Sequence, residues 1–246
     1  MSISQQQAKE KIIVALDVPS SAEAMQLVDK LSDEVGAFKI GMQLYNAEGP
    51  AIVREIEAAG GKVFLDLKFH DIPNTVAEAT RVVTNLGVAI MNVHAAGGKK
   101  MMAVAAEAAA EQAKAAGVAK PLVTAVTVLT SLSQPEFESE VGIDRPINEQ
   151  VIHWAKLAQE AGLNGVVASA KEIADIRNAC GSDFVIITPG IRPVWAAAND
   201  QSRIMTPKQA VELGATYLVI GRPITASPDP VEAARKIVAE IMTADI

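Results

Sequence analysis

The chain has 246 residues, of which 50% are hydrophobic and 21% are charged, and its formal net charge is −7. This apolar content excludes general disorder, and the acidic balance argues against a broad surface for nucleic acid. No stretch approaches the roughly 18 uninterrupted apolar residues that a membrane span needs, so we expect no membrane partner.

The first residues, MSISQQQAKEK, are polar and lack the apolar segment of a secretory signal peptide. The single cysteine, Cys180, excludes an internal disulfide and cannot hold a thiolate metal cluster. It lies near the end of a predicted helix, where we expect a buried or half-buried thiol. These features predict a cytoplasmic protein.

Short β-branched runs alternate with longer amphipathic segments along the chain. The predicted strands span residues 12–17, 37–41, 62–68, 88–94, 121–129, 165–169, 184–188 and 217–221. Helical apolar patterns lie between them, for example over 22–34, 51–60 and 149–162. Strands that alternate with helices indicate βαβ units and a parallel sheet.

Eight such repeats favour a closed (β/α)8 TIM barrel, an α/β fold, over an open doubly wound sheet. Such a barrel typically takes about 250 residues, and no linker divides the chain, so we predict one domain over 1–246. Two connections, 130–148 and 189–203, are long for this fold, and long loops in compact domains are often lids or binding loops.

The third predicted strand, KVFLDLK (62–68), carries charges inside an apolar run. Alternation places Phe64, Asp66 and Lys68 on one face. The opposite face is fully apolar and is expected to pack against helices; it consists of Val63, Leu65, Leu67 and Phe69. Asp66 and Lys68 are therefore predicted to point into the barrel, near its C-terminal mouth.

Asp17 and Lys39 come at the end of the first predicted strand and late in the second. Together with Asp66 and Lys68 they would form one cluster, at the end of the barrel where active sites are built. Internal salt bridges are the plain structural alternative. Removing ions from water costs several kcal/mol each, so four such charges favour an active site.

A metal site built from Asp66, His70, Asp71 and His94 is a second alternative. The two lysines of the cluster argue against it, because each would repel a divalent cation. We therefore predict no metal, and we expect both histidines to be structural and hydrogen-bonded.

The last two predicted strands lead into glycine and arginine residues. TPGIRP (188–193) follows the seventh strand, and the eighth runs into VIGRPIT (219–225). Loops at these two positions often bind phosphate in this fold. Gly190 and Gly221 would allow close backbone approach, Arg192 and Arg222 supply guanidinium groups, and Gln201 could reach over from the long loop.

The segment DLKFHDIPNT (66–75) resembles the signature of the orotidine 5′-monophosphate decarboxylase family. Further motifs follow the family's order: ALD (15–17), KIG (39–41), LTS (129–131), PGIRP (189–193), DQ (200–201) and IGRPI (220–224). The DxKxxD element is shared with sugar-phosphate decarboxylases and aldolases of the same superfamily. The IPNT that follows it, with GIRP and IGR, makes the resemblance specific.

The resemblance implies decarboxylation of orotidine 5′-monophosphate to uridine 5′-monophosphate, the last step of de novo UMP synthesis, without metal or organic cofactor. It implies that Lys68 protonates C6 as carbon dioxide leaves, and that Asp66 faces the substrate carboxylate, with Lys39 continuing the charge network. In a homodimer, Asp71 and Thr75 would reach into the active site of the second subunit. The positions implied to bind substrate are Asp17, Lys39, Thr130, Ser131, Pro189, Gly190, Arg192, Gln201, Gly221 and Arg222.

Two other functions fit parts of the sequence. A phosphosugar lyase or decarboxylase of the same superfamily, usually magnesium-dependent, would share DxKxxD, but IPNT and Ser131 count against it. The other function is that of a catalytically silent barrel, which binds nucleotides or acts as an assembly scaffold. The intact Lys68 counts against this function.

Overall fold

The computed structural model describes residues 3–196 and 205–245. Within these ranges eight parallel strands pair in chain order, and the last pairs with the first to close a barrel. The strands are β1 Ile12–Ala15, β2 Ala37–Gly41, β3 Val63–Phe69, β4 Ile90–His94, β5 Leu122–Val126, β6 Gly165–Val167, β7 Val185–Pro189 and β8 Tyr217–Ile220. The predicted (β/α)8 barrel is confirmed.

Helices surround the barrel. They are α1 Gln5–Glu10, α2 Ser21–Leu31, α3 Met42–Glu48, α4 Ala51–Ala58, α5 Pro73–Thr84, α6 Gly98–Ala116, α7 Gln134–Ser139, α8 Ile147–Glu160, α9 Ile173–Cys180, α10 Pro207–Glu212, α11 Arg222–Thr225 and α12 Pro230–Met242. Short 3-10 turns occupy Ala95–Gly97, Ala170–Glu172 and Val194–Ala196. In the described part of the chain, no helix has the length and hydropathy needed to cross a bilayer.

Local sequence signals explain several helix ends. The Ser20 side chain accepts a hydrogen bond from the Glu23 amide at the start of α2. Pro73 occupies the first turn of α5, where its missing N–H has no helical partner to lose. Helix α6 ends at Gly117 in the left-handed conformation. As predicted, Cys180 ends a helix and is buried.

Two sequence predictions were wrong in detail after the fifth strand. The apolar run 121–129 predicted a longer strand, but β5 ends at Val126. The connection 130–148, expected as a loop, contains α7, because Ser133 and Glu136 form a reciprocal capping box there. The second long connection includes the turn Val194–Ala196, and residues 197–203 of it lie outside the described ranges.

The apolar core has two layers. The larger lies between the outer face of the sheet and the helices, and it includes Val63 and Leu65 from β3. The smaller fills the inside of the barrel and consists of Ile13, Ala15, Ala37, Phe64, Ile90, Ile187 and Val219. Since Phe64 faces inward and its neighbours outward, the predicted alternation holds for the first part of β3.

The second part of β3 is irregular. Leu65 pairs with Met91 and Phe69 with Val93, so four steps along β3 match two along β4. Within this bulge Lys68 has a φ of 55°, the one positive φ among the described non-glycine residues. Lys68 therefore reaches the inside of the barrel by a left-handed turn of the backbone and not by the regular alternation that the sequence predicts.

Candidate active site

A cavity of about 350 Å³ opens at the carboxyl ends of the strands. Most of the residues predicted from the sequence line it: Asp17, Lys39, Asp66, Lys68, Thr130, Pro189, Gly190, Arg192, Gly221 and Arg222. The rest of the lining is apolar and was not predicted: Ala15, Phe64, Val126, Val128, Leu129, Val167, Ala168, Ile191, Val219 and Pro223. An apolar wall with a few converging ionic groups is the usual form of a small-molecule site.

Four charged side chains form a row of alternating sign along one side of the cavity. Lys39 Nζ lies 3.1 Å from Asp17 Oδ1 and 3.6 Å from Asp66 Oδ2. Lys68 Nζ lies 2.7 Å from the other oxygen of Asp66, Oδ1. The side chains of Lys39 and Asp66 are only 12% and 13% exposed, so this pair is withdrawn from water, whereas the Asp17 side chain is 63% exposed.

Two further residues shape this row. A Cβ atom on Gly41 would lie 3.1 Å from Lys39 Nζ, so the absence of a side chain there leaves room for the ammonium. Asn92, buried in β4, donates from Nδ2 to Asp66 Oδ1 over 2.7 Å and accepts from the Lys68 amide over 2.8 Å. Asn92 was not predicted from the sequence, where it is one polar residue inside an apolar strand.

Another part of the cavity wall is formed by the segments after β7 and β8. Gly190 has a φ of 78°, a conformation that strains residues with a side chain. Gly221 precedes α11, whose first residue is Arg222, and Arg192 comes from the neighbouring segment. Gln201, predicted to reach this end, lies outside the described residues.

Three of the predicted site residues do not line the cavity of their own chain. Asp71 and Thr75 are exposed, and Asp71 Oδ1 accepts a hydrogen bond from the next amide, that of Ile72, over 2.6 Å. Ser131 is exposed in the segment that follows β5. The roles implied for these three residues stay predictions.

The two histidines near the cavity lie against each other. The ring centroids of His70 and His94 are 5.4 Å apart. Within the described ranges neither ring is hydrogen-bonded to another protein group, and the expectation that both are hydrogen-bonded stays a prediction. No group of three or more His, Cys, Asp or Glu side chains that could hold a metal ion occurs within residues 3–196 and 205–245.

Two titratable groups beside the cavity have shifted pKa values. Burial lowers the pKa of His94, and the neighbouring His70 and Lys68 lower it further. Burial raises the pKa of Glu172 to about 7, against a smaller opposing effect of the hydrogen bond from the Ser169 amide. At neutral pH, His94 is therefore uncharged, and it leaves the charge of the row unchanged.

The closed barrel and the ionic cavity at the carboxyl ends of its strands define a (β/α)8-barrel enzyme. The sequence model of the orotidine 5′-phosphate decarboxylase / HUMPS family matches residues 10–237. The chain belongs to this family.

Similar proteins cover almost the whole chain. A protein from Moorella thermoacetica named orotidine 5′-phosphate decarboxylase is 59% identical over 95% of this chain and 93% of its own length. One of the same name from Syntrophomonas wolfei is 56% identical over 96% of this chain and 99% of its own. The crystal structure of orotidine 5′-phosphate decarboxylase from Lactobacillus acidophilus superposes with a TM-score of 0.82, at 36% identity over 94% of this chain and 98% of that one.

Proposed function

We propose that this chain converts orotidine 5′-monophosphate to uridine 5′-monophosphate and carbon dioxide, the last step of de novo UMP synthesis. The observation that carries the proposal is the row Asp17–Lys39–Asp66–Lys68, held by contacts of 2.7 to 3.6 Å inside a cavity in a chain of this family. Relatives at 52–59% identity carry the name orotidine 5′-phosphate decarboxylase, which supports this activity.

Lys68 is the proposed proton donor. When the bond between C6 and the carboxyl carbon breaks, its electron pair stays on C6, where the pyrimidine ring delocalises it poorly. A fixed ammonium beside C6 stabilises that charge and then supplies the proton. Asp66 supports this role, because its Oδ1 lies 2.7 Å from Lys68 Nζ and keeps the ammonium in place.

Asp66 also acts on the ground state of the substrate. A substrate carboxylate about 4 Å from the Asp66 carboxylate is repelled by about 4 kcal/mol at an effective dielectric constant of about 20. The repulsion disappears as neutral carbon dioxide departs, so it lowers the barrier to bond cleavage. The Lys39 ammonium offsets part of the negative charge of Asp17 and Asp66, because it contacts both carboxylates.

The phosphate of the nucleotide binds beside the segments that follow β7 and β8. Arg192 and Arg222 supply guanidinium groups that suit a phosphate dianion, and the Gly190 and Gly221 segments let the backbone approach it. Gln201 completes this group in our proposal. The remaining contacts come from Thr130, Ser131 and Pro189 around the base and from Asp17 and Lys39 around the ribose.

The enzyme works as a homodimer in which each subunit completes the site of the other. Asp71 and Thr75 are exposed and lie outside the cavity of their own chain, as residues that serve a second subunit would. Ile72 between them is an apolar side chain that is 66% exposed and that a partner subunit would cover. We further propose that residues 1–246 act as one catalytic domain in the cytoplasm and need neither metal nor organic cofactor.

The proposed reaction is tested by following the loss of ultraviolet absorbance of orotidine 5′-monophosphate after addition of the purified protein. We expect turnover that is unchanged by a chelator such as EDTA. Turnover that EDTA abolishes and magnesium restores would contradict the cofactor-free mechanism. Absence of turnover, with uridine 5′-monophosphate still bound tightly, would instead favour the catalytically silent barrel.

A further inference from the structure

Asn92 occupies a position inside the barrel that normally belongs to an apolar residue. Its side chain is 1% exposed, and it stands between Ile90 of the inner core layer and His94 on β4. Burial of an amide is unfavourable unless all of its polar atoms are hydrogen-bonded. Asn92 therefore needs a hydrogen-bond partner for each polar atom of its side chain.

Both polar atoms of the Asn92 side chain are directed at the bulged half of β3. The Lys68 amide can only donate a hydrogen bond, so the Asn92 oxygen must face it, at 2.8 Å. The Asn92 nitrogen then faces Asp66, and its distance to Oδ1 is 2.7 Å. The same Oδ1 accepts a hydrogen bond from Lys68 Nζ at 2.7 Å.

These contacts replace the part of the β3–β4 ladder that the bulge removes. Regular pairing stops at Leu65 and resumes at Phe69, and in between the Lys68 amide is bonded to the Asn92 side chain. Lys68 itself is held at a φ of 55°. A side-chain-bearing residue persists in that region only where its surroundings fix it.

We propose that Asn92 is a positioning residue, which holds the Lys68 backbone in its left-handed turn and fixes the orientation of the Asp66 carboxylate. The inference rests on the proposed decarboxylase function, because it assigns Asn92 to the alignment of the proton donor and not to substrate binding. An amide side chain of this length offers a donor and an acceptor at once while adding no charge to the row.

The first test is Asn92→Asp, which keeps the shape and the acceptor but replaces the donor with a carboxylate facing Asp66. At about pH 8 we expect kcat to fall about 10- to 100-fold, the effect of losing a hydrogen bond to a charged group, while KM changes far less. The Asp66 carboxylate raises the pKa of the introduced carboxyl. As the pH falls to about 5 this carboxyl is protonated and donates to Asp66, so the deficit relative to wild type should shrink.

The matched control is Thr124→Val. Thr124 is the register partner of Asn92 on β5, is equally buried, and donates a hydrogen bond to the Met91 carbonyl, but within the described ranges it forms no hydrogen bond with the charged row. We expect its kcat to follow the wild-type pH profile. An Asn92→Asp deficit that is constant over the same pH range, or a loss of equal size in Thr124→Val, would overturn the proposal.

A second variant keeps the proposal testable if Asn92→Asp fails to fold. Asn92→Ser is too short to meet both partners, so we expect a loss of kcat that lower pH does not restore. Independently of any substrate, NMR should show that the Lys68 amide proton exchanges slowly in wild type and faster in Asn92→Ser. Equal exchange in both proteins would refute the contact. If wild type and Thr124→Val both lack turnover, the proposed function fails, and the exchange comparison still tests Asn92.

Discussion

Lys68 is held by its immediate neighbours from three directions. Its Nζ contacts Asp66, its amide is bonded to Asn92, and its own backbone is turned into the left-handed region. Lys39, by contrast, contacts two carboxylates from a regular strand. The two lysines therefore differ in their contacts: Lys39 bridges two carboxylates, whereas Lys68 contacts one carboxylate and is fixed through its backbone, as the proposed proton donor requires.

Replacement of Lys68, the proposed proton donor, should remove the chemical step and preserve nucleotide binding. In Lys68→Ala we expect turnover of orotidine 5′-monophosphate to fall by about 10³-fold or more, because the proton and the positive charge beside C6 are both lost. Binding of uridine 5′-monophosphate, measured by calorimetry, should survive, since the proposed phosphate contacts are untouched. Lys99→Ala is the control, because Lys99 pairs with Glu160 at the surface. Near-wild-type turnover in Lys68→Ala would refute the assignment of the donor.

At the scale of elements, the sequence predicted the barrel because each strand is an apolar run and each helix an amphipathic one. It predicted the inward face of β3 as far as Asp66, since strand alternation is a local rule. It could not predict the bulge, because the partner that stabilises the Lys68 turn is Asn92, 24 positions away on another strand. Helix α7 was predictable in principle, because Ser133 and Glu136 have the capping-box spacing.

Helix α9 is tied to the neighbouring strand connections by one arginine. Arg177 Nη1 donates to the carbonyls of Gly181, Ser182 and Phe184, each at 2.7 Å, and Nη2 donates to that of Gly214 at 2.6 Å. The guanidinium thus joins the connection before β7 to the one before β8. These connections lie at the amino ends of the strands, opposite the cavity.

Replacement of Arg177 should lower the stability of the folded protein without changing its catalysis. In Arg177→Ala several carbonyls lose their donor, so we expect about 3 kcal/mol of destabilisation, or a melting temperature about 6–12 °C lower. The kcat of the folded protein should be unchanged. Arg81→Ala is the matched control, because Arg81 forms exposed ion pairs with Glu78 and Glu111, which are worth about 0–1 kcal/mol. Equal melting temperatures for the two variants would contradict the role of Arg177.

The whole molecule has a net charge of −7, yet cationic side chains outnumber anionic ones among the described residues of its cavity. Among the residues that the structure describes, two lysines, two arginines and two carboxylates line this cavity: Lys39, Lys68, Arg192, Arg222, Asp17 and Asp66. An acidic protein with a locally cationic pocket draws a small anion to one place and leaves the rest of its surface unattractive to polyanions. This charge distribution suits a nucleoside monophosphate and not a nucleic acid.

Subunit exchange tests whether two chains share each site. Asp71→Ala and Lys68→Ala should each be inactive alone. In a mixed dimer, one site combines the intact Lys68 of one chain with the intact Asp71 of the other, so random exchange should restore about a quarter of wild-type activity. Mixing Lys68→Ala with Lys39→Ala is the control, because both residues serve their own chain's cavity and every mixed site stays defective. If labelled subunits demonstrably exchange and the first mixture still gains no activity, Asp71 does not act across the interface.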